Sequence, residues 1–165
     1  MVLLDASDPY QATSADGAAE PNAPSLLAVA PSLARLGIGQ LVQSPSDLPE
    51  PAAGQLKAFG SSPRGWRNGA EESATMPALF SQTQALTTLG STPLVVLTAS
   101  ESVQTINGWT AAQDRMAALS TNSSHLAADS THQGLLADEQ GAGMSAHAIH
   151  EVVEAVLTGS TLQAT

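Results

Sequence analysis

Apolar positions along this chain fall into three patterns: short unbroken runs, stripes at helical spacing, and long stretches with almost none. Leu94-Val95-Val96-Leu97 is the clearest run. It stands behind Pro93 and ahead of a polar segment, and four consecutive apolar residues bounded in this way predict a strand buried on both faces. Val2-Leu3-Leu4, stopped by Asp5 and then Pro9, predicts an apolar strand ending in an acidic turn. Residues 123–129 make a weaker strand candidate that ends just before His132. The Pro93 strand, a helix led by Trp109, the 123–129 strand and a histidine on the next loop compose a βαβ unit. Such a unit places a candidate base at the carboxyl edge of its sheet.

The helical stripes are less regular. Leu26, Val29, Leu33 and Leu36 share a face, with a break expected at Pro31 and an end at Gly37 and Gly39. Residues 43–70, rich in Pro and Gly, predict short helices separated by turns. Met76, Leu79, Phe80, Thr83 and Leu86 predict an amphipathic helix over 73–89, closed near Gly90. Residues 11–24 hold almost no large apolar side chain and read as a loop, and so do the polar residues 100–108. Trp109, Ala112, Met116 and Leu119 mark the next helix, with Thr110 and Gln113 as its capping box. Residues 133–143 read as irregular. A last helix is expected from a Ser145 cap, with Ile149, Val152, Val153 and Val156 on one face and a stop at Gly159.

Composition narrows the function classes. Fifteen acidic against five basic residues give a formal net charge of −10, the wrong sign for binding nucleic acid or an anionic membrane. Aromatics are only 3% of the chain, so its 165 residues build a thin core for their number. There is no cysteine, which removes disulfides and thiolate chemistry. No apolar run is long enough to span a bilayer, and Met1-Val-Leu-Leu, stopped at once by Asp5, is no signal peptide. The compartment stays open, with the cytoplasm as default. A first strand with one open edge points to self-association.

Chemistry rests on four histidines. His147 and His150 lie on the last helix without a partner at metal-ligand spacing and read as surface residues, so neither a metal nor a cofactor is expected. His125, inside a strand, reads equally as packing or function. His132 follows a strand and precedes a loop; it is either a base at a site or a plain loop histidine.

Several of these segments, in order, resemble the C-terminal half of an α/β-hydrolase of the bacterial esterase- and lipase-like branch. They are Val2-Leu3-Leu4-Asp5-Ala6-Ser7, Pro93-Leu-Val-Val-Leu-Thr-Ala, Trp109 with Gln113, the run 119–125, His132-Gln133, and Ala148-Ile149 with Val152-Val153. The resemblance implies three divisions: residues 1–10 as a core strand with its acid turn, 11–90 as a helical lid, and 91–165 as the C-terminal core. It implies about three parallel strands with flanking helices, a Ser-His-Asp mechanism, and a small ester-like substrate. His132 would be the base and Asp5 the acid that orients it, with Glu101 as the alternative acid. The G-x-S-x-G elbow that carries the nucleophile in this family does not occur in the sequence; Gly143-Met144-Ser145-Ala146-His147 has its first half only. By the resemblance Met1 falls at the sixth strand, and nucleophile and oxyanion donors lie upstream.

Two readings remain. One is the C-terminal portion of a hydrolase, inactive alone; the other is a non-catalytic remnant or interaction fragment. A stand-alone helical lid module is disfavoured by the clear strand runs. For Asp5, the competing role is to cap the turn before Pro9.

Overall fold

The computed structural model describes residues 1–10, 32–41 and 48–162. The chain forms two compact units, Met1–Gln11 with Gln82–Thr165, and Ala12–Ser81.

The first unit is a three-stranded parallel sheet in the order β1 (Val2–Leu4), β2 (Leu94–Ala99), β3 (Ser123–Ala128). Val2 pairs with Val95, and Leu94 through Ala99 run beside Ser123 through Ala128. All six residues of β2 are buried, as its unbroken apolar run requires of a central strand. Between β2 and β3 stand two helices, α4 (Ser100–Thr105) and α5 (Trp109–Ala117); β3 is followed by α6 (Gly134–Ala137) and α7 (Glu139–Thr158). One sheet face packs Leu94 and Val96 against Met116 and Ala117 of α5. On the other, Val95 meets Ala148 and Val152 of α7. Leu97, Ala99, Ala128 and Leu135 close the carboxyl end. Helices on both faces of a parallel sheet make this a mixed α/β unit.

Several local expectations need correction. Residues 100–108 are not all loop: α4 occupies Ser100–Thr105. The stretch 133–143 is not irregular, since α6 and the start of α7 fill it. Asp138 rather than Ser145 caps α7, accepting the Gly141 amide at 2.5 Å. Ser145 lies a turn and a half inside the helix, buried, with its hydroxyl donating to the Leu135 carbonyl at 2.7 Å. Helix α7 turns a face of small residues inward: Gly141, Ser145, Ala148, Val152 and Ala155. Ile149, Val153 and Val156 are about half exposed or more. The reason is close approach, because a Cβ on Gly141 would stand 2.4 Å from the Gly134 carbonyl oxygen. The stop at Gly159 is as expected, with φ 68° in the left-handed region. At α5 no side chain caps the helix, whose N-cap is Gly108; Gln113 is fully buried and donates to the Ala6 carbonyl at 2.8 Å instead.

The second unit holds a helical turn α1 over residues 32–35, a 3-10 turn at Ile38–Leu41, α2 (Ala52–Gly60) and most of α3 (Pro63–Thr83). Helix α3 starts ten residues earlier than the stripe from Met76 to Leu86 implied and ends at Thr83. Gly37, at φ 79°, closes the first turn. The loop expected over 11–24 and the break at Pro31 lie outside the described residues. No helix among the described residues is long and apolar enough to cross a membrane.

Candidate active site

Parallel strands deliver their carboxyl ends to one edge, and four segments meet at that edge here. Asp5 leaves β1 with φ 45°, in the left-handed region that Asp tolerates better than most side chains. This turn sends its carboxylate over the end of β2. The side chain has no exposed surface, and a buried carboxylate must be fully hydrogen-bonded to stay charged. Asp5 is: Oδ1 accepts the Ala99 amide at 3.1 Å and the Trp109 indole N–H at 2.6 Å. Oδ2 accepts the Ser102 hydroxyl at 2.5 Å and His132 Nδ1 at 2.8 Å. Burial pushes the carboxyl up, but the Ser102, His132, Trp109 and Ala99 donors outweigh it and hold the pKa below its ordinary value. The group is therefore an ionised acceptor at neutral pH.

That charge fixes the state of His132. An ionised carboxylate can only accept, so Nδ1 carries the proton, and Nε2 of the neutral ring keeps its lone pair. The imidazole is 61% exposed, and Nε2 meets no partner among the described residues. A ring oriented by a buried acid, with a free basic nitrogen facing outward, can take a proton from a hydroxyl or water placed beside it.

Glu101 stands at the same edge in a different relation. Its carboxylate accepts the backbone N–H of His132 at 3.1 Å and does not reach the imidazole. The Glu101 amide donates to the Ser130 carbonyl at 3.3 Å, and Ser100 Oγ donates to Asp129 at 3.2 Å. The start of α4 thus pins the loop that carries His132, while Asp5 holds the ring.

Helix α5 secures the Asp5 turn from behind. Besides Trp109 to Asp5, Gln113 donates to Ala6, and Arg115 pairs with the buried Asp8, its Nε at 2.9 Å from Oδ2. Ser102 was not marked by any sequence pattern, and Trp109 stood out as an apolar stripe residue and in the hydrolase resemblance, not as a donor to Asp5. A buried indole N–H needs an acceptor, which is a signal in itself. Its acceptor, however, lies 104 residues away in sequence.

The other histidines separate cleanly. His125 bridges Asp114 through Nδ1 and Thr98 through Nε2, both at 2.7 Å. The chain of groups has the form of a relay, but the Thr98 hydroxyl belongs to a residue only 1% exposed in β2, so no substrate reaches it. His147 and His150 are surface residues near Glu151 and Glu154. Among the described residues no group of three or more His, Asp or Glu could hold a metal ion.

Compared with protein-family models, with curated proteins and with solved structures, the chain finds no match in any of the three.

Proposed function

We propose that this chain is the C-terminal part of an α/β-hydrolase that cleaves an ester or similar bond. His132 is its general base and Asp5 the acid that orients it. The observation that carries this reading is the 2.8 Å contact from His132 Nδ1 to a buried, fully bonded Asp5, with Nε2 left open. The nucleophilic serine comes from residues outside this sequence, on a strand that adds to the outer edge of β1. Among the described residues β1 pairs with β2 alone. Nε2 takes the serine proton as Oγ attacks the carbonyl carbon, and it returns that proton to the departing alcohol. Water then repeats the sequence to release the acid. The second unit, helical and with Leu56, Phe59 and Leu79 about half exposed, is assigned as the lid.

The sequence holds no G-x-S-x-G elbow, and alone the chain does not react with a serine-directed phosphonate. Joined in frame to the coding sequence directly upstream, it labels one upstream serine and hydrolyses short-chain esters, and His132→Ala lowers turnover by about 10⁴-fold or more. Labelling of a serine within residues 1–165 that depends on His132 contradicts the division between halves. A failure of the extended protein to label contradicts the hydrolase reading altogether.

A further inference from the structure

The dipeptide Asn-Gly occurs twice among the described residues, at Asn68-Gly69 and Asn107-Gly108, and the fold treats the two differently. All four residues are exposed, and neither glycine has an atom within 4 Å of where a Cβ would stand. Solvent access and crowding are therefore matched. Backbone state is not. Asn68 and Gly69 lie inside α3, where the Gly69 amide is held in the helical ladder by the carbonyl four residues earlier. Asn107 and Gly108 occupy the centre of a turn closed by the Trp109 amide on the Ile106 carbonyl at 3.2 Å. Gly108 has φ 76° and ψ 7°, the third-position geometry of a type II turn. The N–H of Gly108 meets no acceptor among the described residues.

We infer that Asn107 is a site of spontaneous deamidation and isomerisation, selected by the turn, and that its conversion is felt at Asp5. The Gly108 amide nitrogen, losing its proton to solvent base, attacks Cγ of Asn107; the side-chain nitrogen leaves as ammonia and a succinimide closes. Water opens that ring at either carbonyl, leaving aspartate or isoaspartate in place of the asparagine. Both products place a negative charge at the N-terminus of α5, a favourable position. Isoaspartate also lengthens the main chain by one methylene, close before the residue whose indole N–H holds Asp5 Oδ1 at 2.6 Å. This inference does not depend on the hydrolase reading.

The test is peptide mapping by mass spectrometry after incubating the folded chain in mildly alkaline buffer. Asn107 converts to a mixture of aspartate and isoaspartate. Conversion of Asn68 is about tenfold slower or more, because its helix must first open, and the two become comparable in strong denaturant. Equal rates in the folded chain, or an unconverted Asn107, overturn the inference. For the link to Asp5, the Trp109 indole N–H resonance moves in the isoaspartate form and stays in place in Asn107→Asp, which adds the charge without the methylene. An indole unmoved by isoaspartate overturns that link.

Discussion

Asp5 is the residue on which the described arrangement turns. A carboxylate with no exposed surface is tolerable only because four donors reach it, one from the end of β2, two from α4 and α5, and one from His132. Asp5→Asn keeps the shape and the left-handed backbone preference, but turns an NH2 group toward donors. It should destabilise the fold by about 2–3 kcal/mol, the cost of leaving buried polar groups unpaired. The pH dependence has a definite sign. Because the folded pKa lies below the ordinary value of 3.8, the contribution of Asp5 is fully present above that value and is lost as pH falls through the folded pKa. Asp138, lowered chiefly by the Gly141 amide, acts in the same direction. Urea titrations across the acid range should show a falling limb that Asp5→Asn makes shallower. An unchanged slope would mean that Asp5 does not titrate differently in the folded and unfolded states.

Elements differed in how plainly they could be read from the sequence. Strands β1 and β2 were legible because unbroken apolar runs between turn residues leave few other conformations, whereas β3, Ser-Ser-His-Leu-Ala-Ala, carries no such run and was the weaker candidate. Helices α6 and α7 were misread at their start because Gly134, Gly141, Gly143 and Ser145 look like loop residues. Gly134 and Gly141 are small because the helix junction is crowded, and only tertiary contact reveals that. Helix α5 was legible as an apolar stripe but not as the support of the Asp5 turn. Trp109, Gln113 and Arg115 each grip a different residue of that turn, an arrangement without a periodic signature. Trp109→Phe keeps the packing and deletes one donor. The expected result is a loss of about 1–3 kcal/mol in urea denaturation, with an acid limb that is smaller and ends at higher pH, because Asp5 loses a hydrogen bond to its charged form and its folded pKa rises toward the unfolded one. A neutral effect on both would remove α5 from the support of the acid.

For the whole molecule, the meeting of Asp5 and His132 across 127 residues follows from one rule: adjacent parallel strands end on the same side. The two residues lie after β1 and β3, on either flank of β2, so their approach was foreseeable once three parallel strands were read. The role of Glu101 was not, because a carboxylate bound to a backbone N–H looks the same in sequence as one bound to an imidazole. Nitrogen NMR of the imidazole observes the Asp5–His132 couple directly. His132 is assigned by its disappearance in His132→Gln, with His125, His147 and His150 as internal references. At a pH where the ring is neutral, the expected shifts are those of a protonated Nδ1 and a bare Nε2, reversing to a protonated Nε2 in Asp5→Asn. A His132 that already carries its proton on Nε2, and does not respond to Asp5→Asn, would contradict the orientation of the ring by Asp5.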